Sequence, residues 1–274
     1  MSENVIDVIN LSKTFETGTR ALRDVSLQVP KGQMVAMIGL SGSGKSTLMR
    51  HLNGLTSPTA GDVWVLDTHI NTASRKQLRE VRRHIGFIFQ QFGLVGRITA
   101  MENVLSGSLG SLFGPRFGVG SYPLRYRKNA LEHLDRVGMA DYAFQRADTL
   151  SGGQMQRVAI ARSLMQQPSV MLADEPVASL DPESSAQVME ILLRVAKEEN
   201  LTVLVTLHQV ELALGWAERI VGLRDGEVVL DDAPKKIGKK KVMEVYQRVA
   251  PDDVDVEEIA QESIRALEAM KDAH

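Results

Sequence analysis

Two short stretches of this chain carry residue types that handle phosphate. "GLSGSGKST", Gly39 to Thr47, fits the spacing G-x-x-x-x-G-K-[ST] at Gly39, Gly44, Lys45 and Ser46. Its glycines let a tight loop, with Leu40, Ser41, Gly42 and Ser43 forming the curve, turn successive N–H groups onto phosphate oxygens. Lys45 adds a cation near the β- and γ-phosphates of a nucleotide, the Ser46 hydroxyl suits Mg²⁺, and Thr47 closes the run. "LSGGQMQRVAIAR", Leu150 to Arg162, also sets small residues ahead of a helix-like run, where a helix N-terminus attracts an anion. It lacks a lysine and a metal ligand of its own, so it makes a poor primary phosphate site.

"VMLADEP" adds what phosphoryl chemistry needs. Val170 to Ala173 read as a buried strand ending in two acids at its carboxyl end, where α/β folds place ligands. Asp174 is the candidate to hold Mg²⁺ through water, and Glu175 to polarise the water attacking the γ-phosphate. Gln90 follows "GFIF" and His208 follows "TVLVTL", so both leave strand ends. Gln90 reads as a contact to Mg²⁺ and the attacking water, and His208 as a γ-phosphate partner. Each also reads as an ordinary hydrogen-bonded structural residue. Phe15, ahead of the loop, is either an adenine-stacking ring or a core residue.

These residues need a scaffold that brings strand ends together. β-rich runs lie at Val5–Leu11, Val25–Val29, Met34–Ile38, Val63–Val65, Ile85–Phe89, Val170–Leu172, Thr202–Thr206, Ile220–Leu223 and Glu227–Leu230. Helix-like runs at Ser46–Leu55, Gln154–Gln166, Glu183–Glu199 and Gln209–Ala217 alternate with several of them, which indicates an α/β fold built on a mainly parallel sheet. The first strands have no helices between them and read as a smaller antiparallel sheet. The glycine-rich stretch "SGSLGSLFGPRFGVGSYP" reads as a loop, and helical text resumes at Arg127–Gly138, so an inserted helical subdomain is expected over about 92–165. Residues 251–274 start with Pro and acids and then become amphipathic, as a C-terminal helical extension to a domain spanning 1–250.

Bulk properties exclude other classes. A net charge of −2 argues against a general nucleic-acid coat protein, and no nucleic-acid partner is expected. No cysteine is present, so disulfide and thiol chemistry are out. The N-terminus lacks the basic-then-apolar pattern of a secretory signal. "LTVLVTLHQVELALGWAERIVGL" is interrupted by His208, Glu211, Glu218 and Arg219, too often for a spanning helix, so a membrane role would come through a partner. The run "KKIGKKK", Lys235 to Lys241, is either a solvated charge run or a contact to anionic headgroups.

The P-loop, "FQQ", "LSGGQ", "VMLADEP", "SLD" and "LHQ" occur in the order seen in ATP-binding cassette (ABC) ATPases, which the chain resembles over about residues 5–235. The resemblance implies a P-loop NTPase core of RecA-like type with an N-terminal antiparallel β-subdomain and an inserted helical subdomain. It implies ATP and Mg²⁺ as cofactors, with Ser46, Gln90 and Asp174 at the metal and Glu175, Gln90 and His208 in catalysis. It also implies a head-to-tail homodimer in which Ser151, Gly152, Gly153 and Gln154 contact ATP held by the other chain and Asp181 lies at the seam. Phe15 stands where the family usually has tyrosine. "LADEPVASLDPESSAQVM", "TLHQVELA", "ERIVGLRDGEVV" and "RVGMADYAFQRADTLSGGQMQRVAIARSL" are most similar to the ATPase of phosphonate importers, some of whose relatives import phosphite. That implies a peripheral subunit on the cytoplasmic face of the membrane, working with two permease subunits and an extracytoplasmic substrate-binding protein. The alternatives are an ABC importer ATPase for another small solute, such as a polar amino acid or methionine, and a non-transport ABC subunit of a phosphonate-degrading complex.

Overall fold

A computed structural model describes residues 4–237 and 245–246 of the chain. They divide into two compact units, one holding 4–81 with 202–237 and 245–246, the other 82–201. The extension expected at 251–274 and most of the "KKIGKKK" run lie outside the described residues.

In the first unit, β1 (Asn4–Thr14) and β2 (Arg20–Pro30) form a hairpin, and β4 (Ala60–Val65) and β5 (Thr68–His69) complete an antiparallel sheet of order β2-β1-β4-β5. The alternation in β2 that buries Leu22, Val25, Leu27 and Val29 is the pattern of a strand with one covered face. β3 (Met34–Ile38) and β8 (Thr202–Leu207) are buried along their whole length. They pair in parallel, β9 (Arg219–Arg224) runs parallel on the other side of β3, and β10 (Glu227–Asp232) returns antiparallel to β9. Helix α1 (Lys45–Leu52) follows β3 and buries Leu48, Met49 and Leu52; α7 (Val210–Trp216) follows β8. The helix α2 (Arg75–Arg83) begins in this unit. Its apolar signal is short, Leu78 and Val81 three apart among charges, and of these Val81 alone is buried.

The second unit starts from β6 (Ile85–Ile88) and β7 (Val170–Asp174), paired in parallel with Ile88 opposite Ala173. Helices α3 (Ala100–Ser106), α4 (Leu124–Arg136) and α6 (Pro182–Glu199) all pack against α5 (Gly152–Leu164). Val104, Leu105, Leu134, Val158, Ile160, Leu164, Val188 and Leu192 form its core. The glycine-rich stretch between α3 and α4 is a loop with short 3₁₀ turns at Leu109–Ser111 and Val119–Ser121. α3 opens on a capping box between Thr99 and Glu102, a T-x-x-E signal present in the sequence. Among the described residues no helix is long and apolar enough to cross a membrane.

Candidate functional site

The first unit builds the phosphate loop at the end of β3. Gly39, Gly42 and Gly44 have φ of 146°, 80° and 107°, values that exclude ordinary side chains. A Cβ on Gly39 would stand 2.2 Å from the Leu223 carbonyl oxygen, and one on Gly44 would stand 2.6 Å from that of Ala21. The loop is therefore pressed against neighbouring backbone on both flanks. Its far end is tied by the Gly226 amide donating to the Ser43 carbonyl at 3.1 Å.

Lys45 is buried, and its Nζ donates to the Gly39 carbonyl at 2.7 Å and to that of Leu40 at 3.0 Å. The ammonium is thus held inside the curve of the loop, where a phosphate would meet it. Ser46 and Thr47 are half-buried at the start of α1, while the Ser43 Oγ is buried without a hydrogen-bond partner. The Thr47 carbonyl accepts from the His51 Nδ1 at 2.8 Å, and burial lowers the pKa of this fully enclosed imidazole. Parallel pairing sets Ile38 opposite Leu207, so Gly39 and His208 leave adjacent strand ends. His208 is exposed, and its carbonyl accepts from the buried Tyr246 hydroxyl at 3.3 Å. Phe15 sits in the β1–β2 turn, 39 % exposed, with the Lys13 ammonium 5.3 Å from its ring centre. It is a surface ring, not a core one.

The second unit gathers the other motifs. Register across β6 and β7 sends Gln90, Asp174 and Glu175 from neighbouring strand ends. Gln90 is exposed, and Asp174 and Glu175 are half-buried. Glu175 has a φ of 49°, a left-handed conformation that costs a glutamate roughly 1 kcal/mol or more. "LSGGQ" forms the N-terminus of α5. The Ser151 Oγ accepts from the Gln154 amide at 3.3 Å, and the Gln154 Oε1 accepts from the Ser151 amide at 2.9 Å, a complete capping box. The Gln154 side chain is thus engaged by its own helix.

The two glycines have a packing reason that their sequence pattern did not announce. A Cβ on Gly153 would lie 3.0 Å from the Ser184 Oγ, and one on Gly152 3.1 Å from a Leu180 methyl. They let the N-terminus of α5 press against the "SLD" turn and the start of α6. Asp181 caps α6, accepting from the Ser184 amide at 2.9 Å, and the bonds from the Ser184 hydroxyl and amide hold its carboxyl below the usual carboxylate range. Ser151 and Asp181 are both exposed, so the two helix N-termini present one polar ledge.

Sequence reasoning missed what holds the loop after Gln90. Phe92 and Gly93 both have positive φ, 56° and 62°, and the Arg162 guanidinium donates to both carbonyls, at 3.0 Å for Phe92. Burial lowers the pKa of Arg162, and no carboxylate counters the effect. Asn103, almost fully buried, grips the next part of the loop through the Val95 amide at 2.8 Å and the Val95 and Thr99 carbonyls at 3.1 and 3.0 Å. Arg162 ends the quoted "LSGGQMQRVAIAR", but no local pattern names its partners, which lie about seventy positions away.

Among the described residues no three His, Cys, Asp or Glu side chains cluster to hold a metal. The family model described as "ABC transporter" matches residues 22–178. The phosphate-import ATP-binding protein of Mycolicibacterium smegmatis is 59% identical over 233 residues, 85% of this chain and 89% of that one. The phosphonates import ATP-binding protein of Frankia casuarinae is 58% identical over 233 residues, 85% of this chain and 92% of its own length. A solved dimeric ATP-binding cassette in a post-hydrolysis state, bound to ADP and Pi, superposes with a TM-score of 0.74 at 36% identity, covering 85% of this chain and 100% of the other.

Proposed function

The chain belongs to the ABC transporter ATPase family, and from that membership we propose that it is the ATP-hydrolysing subunit of an importer for phosphonate or a closely related phosphorus oxyanion. The observation that carries the solute class is the identity of 58–59% to importer ATP-binding proteins over 85% of the chain. One of those relatives is named for phosphate and the other for phosphonates, so a tetrahedral phosphorus oxyanion is the chemistry they share. The chain would work as a homodimer with two permease subunits and an extracytoplasmic binding protein, peripheral to the cytoplasmic face of the membrane.

The residues take these roles. Backbone N–H groups from Gly39 to Thr47, with the Lys45 ammonium, bind the nucleotide phosphates, and Phe15 stacks on the adenine. Ser46, Gln90 and Asp174 offer hydroxyl, amide and carboxylate oxygens that fit Mg²⁺, which when bound neutralises phosphate charge. Glu175 accepts a proton from the attacking water, Gln90 orients that water, and His208 donates to the γ-phosphate. Ser151, Gly152, Gly153, Gln154 and Asp181 complete the nucleotide site of the second copy, so ATP binds the closed dimer better than the open one and its hydrolysis releases closure. Deleting the gene and supplying phosphonates, phosphite or phosphate as sole phosphorus source tests the solute class. Growth should fail on at least one of them and return with the intact gene; unimpaired growth on all, in a strain without a redundant importer, would overturn it.

A further inference from the structure

Between Glu102 and Glu132 the sequence holds four cations, Arg116, Arg125, Arg127 and Lys128, and no acid. The same stretch exposes large apolar groups. Phe113 is 96 % exposed, Phe117 81 % and Leu124 59 %. The loop that shows them is nevertheless built. Tyr122 is buried beneath it, the Ser121 hydroxyl accepts from the Phe117 amide at 2.9 Å and donates to the Gly118 carbonyl at 2.8 Å, and Arg83 donates to the Ser111 hydroxyl at 3.2 Å. A tethered loop that turns two phenylalanines outward is an interaction surface rather than misplaced core.

Among the described residues these charges have no carboxylate partner: Arg125 lies over the Tyr126 ring at 4.9 Å and Arg116 donates to the Pro115 carbonyl at 3.2 Å. Among the described residues Arg116, Arg125, Arg127 and Lys128 make no ion pair; Glu102, which approaches the loop near Gly118, is engaged by the Thr99 amide and hydroxyl at 2.8 Å each. Arg125 and Arg127 stand in the first turn of α4, which has no acid there and no side-chain cap at Pro123. Cations at that end oppose the helix dipole, so they do not serve the helix.

We infer that residues 109–128 rest on an anionic lipid surface, with Phe113 and Phe117 at the headgroup–acyl boundary and the cations on lipid phosphates. Such binding needs both an apolar and a basic element, and this segment carries both. Charge selects lipid over a membrane protein as the occupant. The cytoplasmic loops of membrane proteins are themselves rich in Lys and Arg, which repel a basic patch, whereas the leaflet beside them carries anionic headgroups. The surface uses none of the residues assigned to nucleotide or phosphorus chemistry, so it stands or falls apart from the importer reading.

Flotation of the purified full-length chain with vesicles of phosphatidylcholine, with and without phosphatidylglycerol, tests this. Binding is expected on the anionic vesicles only and should weaken with salt. Replacing Phe113→Ser and Phe117→Ser together should weaken partitioning by at least about tenfold. Arg125→Gln with Lys128→Gln should weaken it by roughly 25-fold, at about fivefold per cation. All four side chains belong to exposed residues, so the melting temperature of the variants should match that of the parent. The inference is overturned if the parent chain does not float, or if the phenylalanine variant floats as well as the parent. It is also overturned if Lys235→Gln with Lys236→Gln alone abolishes binding, which moves the contact to the lysine run. Loss of co-purifying permease in the phenylalanine variant, from a parent chain that ignores vesicles, would assign the loop to a protein contact instead.

Discussion

Ser151 has one observed job and one proposed one, and a pair of substitutions tells them apart. Its hydroxyl caps α5 by accepting from the Gln154 amide at 3.3 Å. It is also the proposed donor to the γ-phosphate of the second copy. Ser151→Ala removes the cap, which costs about 1 kcal/mol, and for a chain of this size that lowers the melting temperature by roughly 2–4 °C. Ser151→Asp keeps the cap, since aspartate accepts the same amide bond as well as serine does. It sets a carboxylate against phosphate, however. At about 4 Å and an effective dielectric near 20, one unit pair is worth roughly 4 kcal/mol, about 10³-fold. The alanine variant, lacking a single donor, should lose roughly 10²-fold in hydrolysis. Stability should therefore run Asp and Ser above Ala, while hydrolysis at saturating ATP runs Ser above Ala above Asp. Differential scanning gives the first order, phosphate release the second, and a fluorescent nucleotide should report near-parental affinity for the open chain in all three. An aspartate variant that hydrolyses ATP like the parent, with alanine the impaired one, would reduce Ser151 to a helix cap and refute the cross-chain role.

Glu175→Gln keeps the size and the left-handed backbone position while removing the proton acceptor. It should bind ATP normally and hydrolyse it at least about 10²-fold more slowly, accumulating a closed dimer by size-exclusion chromatography; near-normal turnover would take Glu175 out of the reaction. Burial also makes stability pH-dependent. It lowers the folded-state pKa of His51 and of His133 below the ordinary value of 6.5, so the unfolded chain takes up protons first as pH falls. Their contribution is full above about pH 6.5, declines as pH drops from there toward the lowered folded values, and is gone below them. Urea midpoints measured at pH 7.5 and 5.5 should fall on acidification, and His51→Gln should flatten the drop; an unchanged slope would show that His51 is not titrating in this window.

Much of the site was legible because its chemistry is local in the chain. The glycine spacing at Gly39 to Gly44, and the apolar strand ending at Asp174, state a backbone conformation and a strand end within a few residues. Strands β3 and β8 were legible for a related reason: burial on both faces leaves an unbroken apolar run. Helices α2 and α3 were not. One has charges at six of its nine positions, and the other spans seven residues announced only by its capping box. Phe15 was open between an adenine-stacking ring and a core residue, and its exposure in a turn rules out the core.

The sequence by itself determined which residue types could touch phosphate, in what order they occur, and that "LSGGQ" opens a helix without a lysine of its own. Those are properties of neighbouring residues, where backbone geometry and spacing are set over one turn or one strand. Only the tertiary structure decided that Gly152 and Gly153 make room for Leu180 and Ser184. It alone showed that Arg162 and Asn103 hold the loop beyond Gln90. Each depends on atoms brought together by packing from distant parts of the chain, a distance relation that no spacing along the sequence encodes.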